Sequence, residues 1–227
     1  MKNTFNYYVN KYPKGVVHLL IPGHGGVNKD GVYQILKKGS KQAEVDGKMI
    51  YEGQINRNIA NEIANQRPEG TFLTNIVPEN EDITREERIE RINKVSKIFM
   101  DDGYLPIIWE LHNNAFNGKA SGTEIYTTRG ENLSDRIAAI WWGHANKIIG
   151  GKFPKYKWRP GGSDEDPSKE KDYDVIKESI AFGVLIEFYF FDNPKSVQMF
   201  NNDFGNSLWA STVIESIKEI DSHWKKK

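Results

Sequence analysis

The sequence predicts an α/β protein with a largely parallel sheet. Two observations carry that reading: short apolar runs alternate with amphipathic stretches of helical period along the chain, and no internal repeat or shift of composition divides its 227 residues. A chain of this length can bury a core of its own, so one domain spanning 1–227 is expected.

The elements follow in order. VVHLLI (16–21) reads as the first strand, followed by a polar loop over 25–49 rich in Gly, Lys and Asp. Between 52 and 66, Ile55, Ile59 and Ile63 with Ala60 and Ala64 fall on one face of a helix. TFLTNIV (71–77) is a second strand. Thr84 with Glu87 three residues later forms a capping box, and the run Ile89, Ile92, Val95, Phe99 then continues as a helix until Gly103. LPIIWEL (105–111) is a buried strand, EIYTT (124–128) an edge strand, and 133–149 a helix with two adjacent tryptophans. The Gly-, Pro- and charge-rich stretch 150–172 reads as a surface loop. VLIEFYFF (184–191) is the most apolar strand, and 203–222 is a closing helix.

Hydrophobic residues make up 38% and charged residues 27% of the chain, which excludes a disordered tail, a collagen-like repeat or a membrane protein. Lys and Arg total 31 and so do Asp and Glu, which argues against a nucleic-acid binder relying on phosphate neutralisation. The chain has no cysteine, so disulfides, thiol nucleophiles and thiolate metal sites are out, leaving histidines and carboxylates as the strong ligands. No signal-peptide pattern opens the sequence, and no apolar run is long enough to span a membrane.

Five histidines decide whether a metal site can exist. His18 within a strand, His144 within a helix and His223 near the end read as ordinary core or surface residues. His24 and His112 each fall just past an apolar run, where open α/β sheets place their ligands. His24 stands in Pro-Gly-His-Gly-Gly, whose glycines allow close backbone approach. Glu52 opens the 52–66 helix at the end of its apolar stripe, although a glutamate in a first turn is also favoured by the helix dipole. Glu187 is the only charge within VLIEFYFF, an environment that suits a general base with a raised pKa. A solvent-facing Glu187 on an edge strand is the plain alternative. Glu110 could pair with a basic group, and Glu124 reads as an ordinary strand charge rather than support for a site. Of the aromatics that could stack on sugar, Tyr126, Trp141, Trp142 and Trp158, the adjacent tryptophans are better placed for the core. The Lys225–Lys227 tail reads as a solvated end, with attraction to anionic wall polymers as the other reading. Two histidines and a glutamate match the three-ligand, open-position pattern of catalytic zinc, but spacing alone does not single these residues out.

Read in order, IPGHGG (21–26), YEGQINRNIANEIA (51–64), the stretch from VPEN through TREERIERIN (77–93), ELHNNAF (110–116), GTEIYTT (122–128) and VIKES followed by VLIEFYFFDN (175–193) resemble the zinc-dependent N-acetylmuramoyl-L-alanine amidases of bacterial cell separation and phage endolysins. The resemblance spans about 16–200. It implies a mixed, mostly parallel six-stranded sheet with helices on both faces, a zinc ion on His24, Glu52 and His112, and Glu187 as the catalytic glutamate. The chain has Glu110-Leu111 where the family commonly has Ser-Ile before the second histidine, and Phe188 where it often has Gly. These departures bear on the substrate pocket more than on the metal.

The implied activity is hydrolysis of the amide between N-acetylmuramic acid and L-alanine in peptidoglycan. A zinc peptidase or deacetylase acting on another amide, and a silent wall-binding module, are the competing readings. Peptidoglycan is the expected partner, with neither nucleic acid nor membrane. With no leader pattern, the expectation is a phage or prophage lysin made in the cytoplasm that reaches the wall through a separate release protein.

Overall fold

The computed structural model describes residues 4–36, 41–162 and 166–225. Helix α1 (Thr4–Lys11) precedes strand β1 (Gly15–Pro22). The polar segment after β1 contains a hairpin, β2 (Gln42–Val45) and β3 (Lys48–Tyr51), where the sequence suggested only loop. Its turn is Asp46-Gly47, with φ of 49° and 76°, the left-handed pair that a two-residue hairpin needs. Then come α2 (Glu52–Asn65), β4 (Phe72–Asn75), α3 (Arg85–Asp101), β5 (Tyr104–Asn114) and β6 (Glu124–Thr127). Helix α4 (Leu133–Ala145) runs into a single π-helical turn at Asn146–Gly150, so the predicted 133–149 helix changes pitch near its end. A two-residue strand β7 (Lys169–Glu170), α5 (Asp174–Glu178), β8 (Phe182–Phe190), α6 (Pro194–Phe200) and α7 (Asp203–Ser222) complete the described chain.

Six strands form one sheet in the order β4-β1-β5-β8-β6-β7. Strands β4, β1, β5 and β8 run parallel, and β6 is antiparallel to β8. The mixed, mostly parallel six-stranded sheet is therefore present as expected. Strand β6 is not the edge, because β7, drawn from the charged 150–172 stretch, pairs with its outer side. Strand β8 is internal, which removes the solvent-facing alternative for Glu187.

Both faces of the sheet are covered, and alternation along the strands assigns each residue to a face. Val17, Leu19 and Ile21 of β1 pack with Ile92 of α3 and Val175 of α5. Val16 and Leu20, one residue out of phase, join the larger core under α2, α4 and α7. Trp141 and Trp209 stack there with centroids 6.5 Å apart, and Trp142 is also buried. His18 lies fully buried on this face between Trp109 and Asp221, the structural role its mid-strand position suggested. Helix α3 carries half of the capping box read for it: the Thr84 side chain accepts from the Glu87 amide at 3.1 Å, while the Glu87 carboxylate accepts from Arg91. Among the described residues, no helix is long and apolar enough to cross a membrane.

Candidate metal centre

Parallel strands deliver their C-terminal residues to one end of the sheet, and the site is built there. Immediately past β1 the backbone turns through Gly23-His24-Gly25, with His24 at φ 59°. The glycines beside it are required by contact. A Cβ on Gly23 would stand 2.2 Å from the His112 ring, and one on Gly25 would stand 1.6 Å from the Gln34 carbonyl oxygen. The buried Arg57 guanidinium fixes the turn, donating to the carbonyls of His24, Gly53 and Glu79. Arg88, also buried, donates to the Pro22 carbonyl at 2.8 Å.

Glu52 is the first residue of α2 and is 1% exposed. Its Oε1 lies 2.9 Å from His112 Nδ1 and 3.4 Å from His24 Nε2. The two imidazoles meet edge to face with centroids 5.0 Å apart. One ligand atom from each of His24, Glu52 and His112 can be chosen so that all lie within 4.8 Å of one another. His24 Nε2 is buried without a hydrogen-bond partner, and Lys41 Nζ stands 3.3 Å from Glu52 Oε2. Burial pushes the Glu52 carboxyl up, but the two histidines outweigh it and hold it well below the usual carboxylate range. Burial pulls His24 down, whereas the hydrogen bonds that His112 makes to the Glu110 and Glu52 carboxylates outweigh burial there and carry it up to about 10. A buried carboxylate and two converging imidazoles, one with an unpartnered nitrogen, are a donor set that suits zinc.

Behind these residues stands a supporting layer, of which sequence reasoning missed Asn56 and Asn113. Glu110, two residues before His112 on the same strand face, lies 3.3 Å from its Nε2. It can hold that nitrogen as the N–H and leave Nδ1 toward Glu52 and His24. The basic partner suggested for Glu110 is thus His112 itself. Asn113 donates to Asn56 at 2.8 Å, and Asn56 donates to the Gly23 carbonyl at 3.0 Å, linking β5, α2 and the histidine turn. The one available signal was Asn56 at i+4 from Glu52, on the same helix face.

Glu187 is paired with His112 across the β5–β8 ladder. Its Oε2 is sealed from solvent and unpartnered, and burial pushes its carboxyl up to about 8. Directly opposite on β6 sits Glu124, which is 3% exposed and not an ordinary strand charge. It accepts from Tyr126 at 2.6 Å and Asn114 at 3.2 Å and pairs with Lys169 at 2.8 Å and with Arg159. This network also ties Tyr126 down, and Trp158 packs edge-on against Trp142 at 5.2 Å.

An open α/β sheet with a His–Glu–His cluster at its strand ends and an unpaired carboxylate beside it is the layout of a hydrolase. The chain belongs to the N-acetylmuramoyl-L-alanine amidase family, whose model matches residues 19–219. Among solved structures it is similar to an N-acetylmuramoyl-L-alanine amidase from Clostridium difficile 630, at 21% identity and TM-score 0.69, over 90% of this chain and 96% of that one. It is similar to the amidase Ami1 from Mycobacterium smegmatis, at 14% identity and TM-score 0.67, over 94% and 98%. It is also similar to the catalytic domain of the CD27L endolysin targeting Clostridia difficile, at 22% identity and TM-score 0.61, over 90% and 98%. Comparison with curated proteins gives no match. Family membership supports an amidase acting on peptidoglycan.

Proposed function

We propose that this protein is a zinc-dependent N-acetylmuramoyl-L-alanine amidase, a single catalytic domain that uses His24, Glu52 and His112 as metal ligands and Glu187 as general acid–base. The convergence of the three ligands beside Glu187 is the observation that carries the reading. A zinc ion held there would supply Lewis acidity toward the scissile carbonyl and make water a better acid. Glu187, poorly solvated and unpartnered, takes the proton from the attacking water and passes it to the departing L-alanine nitrogen. Glu110 keeps the His112 ring in register, and Arg57 keeps the His24 turn in place. The similarity to an endolysin catalytic domain supports a lytic role at the cell wall.

Glu187→Gln is the direct test of the assigned role. The variant is expected to bind zinc as the wild type does and to lose hydrolysis by roughly a hundredfold or more. Turnover within a few-fold of wild type, at equal zinc content, would remove Glu187 from the reaction.

A further inference from the structure

A second concavity lies outside the metal centre. It has a volume of about 840 Å³ and is walled by the loop after β5 (118–121), the segment 152–157, and residues 193–199 after β8. Its floor is rigid and largely apolar. Phe153 and Tyr156 both pack edge-on against the buried Phe200, at 5.4 and 5.2 Å, and the Tyr156 hydroxyl donates to the Phe188 carbonyl. Asp192 pins the β5 loop by accepting from the amides of Phe116 and Gly118, both at 2.9 Å.

Five lysines line the cleft, Lys119, Lys152, Lys155, Lys157 and Lys195, and all are exposed. No carboxylate residue lines it, and none of the five makes an ion pair within 4 Å among the described residues. In a chain whose formal net charge is zero, this is a local concentration of uncompensated positive charge. No arginine lines the cleft either. Each lysine offers a mobile point charge that can meet a singly charged phosphate, and several together suit phosphates spaced along a chain. The apolar floor can take the carbon backbone of such a chain between its charges.

We propose that this cleft binds a phosphodiester-linked anionic polymer of the cell wall and so holds the enzyme beside its substrate. That the polymer is a wall polymer rests on the amidase reading; the affinity for polyphosphodiesters does not. The cleft supplies retention and takes no part in bond cleavage.

The full-length protein, wild type and the triple variant Lys155→Ala/Lys157→Ala/Lys195→Ala, would be co-sedimented with intact cell walls and with walls stripped of phosphate polymers by hydrofluoric acid. Binding to purified poly(glycerol phosphate) and to an RNA oligonucleotide of equal charge would be measured beside it. The expected result is salt-sensitive binding of the wild type to intact walls and to poly(glycerol phosphate), weakened about tenfold in the triple variant and on stripped walls. Cleavage of a small soluble muramyl peptide should be the same in both proteins. Equal binding of wild type and variant to intact walls would overturn the proposal. So would equal wild-type binding to intact and stripped walls, which would assign the charge to peptidoglycan carboxylates, or tighter binding to RNA. Polymer binding without cleavage of the soluble peptide would sink the amidase reading and leave the cleft's chemistry standing.

Discussion

Arg57 shows how much of the site depends on a single side chain that touches no proposed ligand atom. Arg57 is 4% exposed and its guanidinium donates to main-chain carbonyls of His24, Gly53 and Glu79, bringing together the histidine turn, the start of α2 and the segment after β4. Arg57→Leu keeps much of the side-chain volume but leaves three carbonyls without their donor. The expected cost is about 2–4 kcal/mol of stability together with a loss of zinc affinity. Denaturant unfolding and competition with a chromogenic chelator would measure the two. Loss of stability with unchanged zinc affinity would reduce Arg57 to a core residue. At Glu187 the direction with pH is set by burial, which raises the folded-state carboxyl to about 8 from its ordinary 4.5. Between those values the folded chain keeps a proton that the unfolded chain has released, so this group's contribution to stability falls as pH rises. Metal-free Glu187→Gln should therefore match the wild type near pH 4 and exceed it by on the order of 1–3 kcal/mol at pH 8. Thermal unfolding across that range reads the difference, and parallel pH profiles would contradict it.

The first turn of α2 is the element on which the metal centre depends most. A Cβ on Gly53 would come within 1.8 Å of the Gly25 carbonyl oxygen, so helix and histidine turn touch backbone to backbone at this point. Gly53→Ala should force them apart and carry Glu52 away from His24. We expect a stability loss of about 1–3 kcal/mol and a fall in zinc affinity of roughly tenfold or more, measured by calorimetric titration. Full affinity would show that the close approach is dispensable. The sequence made α2 legible through its period and α3 through its period and N-cap, where Thr84 accepts from the Glu87 amide as its spacing suggested. The β2–β3 hairpin was less legible, since its strands are four residues each and largely exposed, which leaves no apolar alternation to read. Its Asp46-Gly47 turn was the available signal. Strand β6 read as an edge because nothing in the charged stretch after α4 has the pattern of a strand, and β7 is only two residues long.

At the scale of the molecule, the site exists because β1, β5 and β8 are adjacent and parallel, so His24, His112 and Glu187 reach one region from sequence positions far apart. That adjacency was not readable from spacing, and it was the order of motifs along the chain that pointed to these residues. Glu124 was misjudged for a related reason, since a carboxylate's role depends on what faces it from the next strand or loop. Glu124 faces Glu187 across the ladder while being held by Arg159 and Lys169. The most direct test of the whole account is mass spectrometry of fragments released from purified peptidoglycan by the zinc-loaded protein and by a chelated control. The account predicts intact stem peptides with a free N-terminal L-alanine, appearing only with metal. Cleavage within the stem peptide, loss of acetyl groups, or equal release from the chelated protein would contradict it.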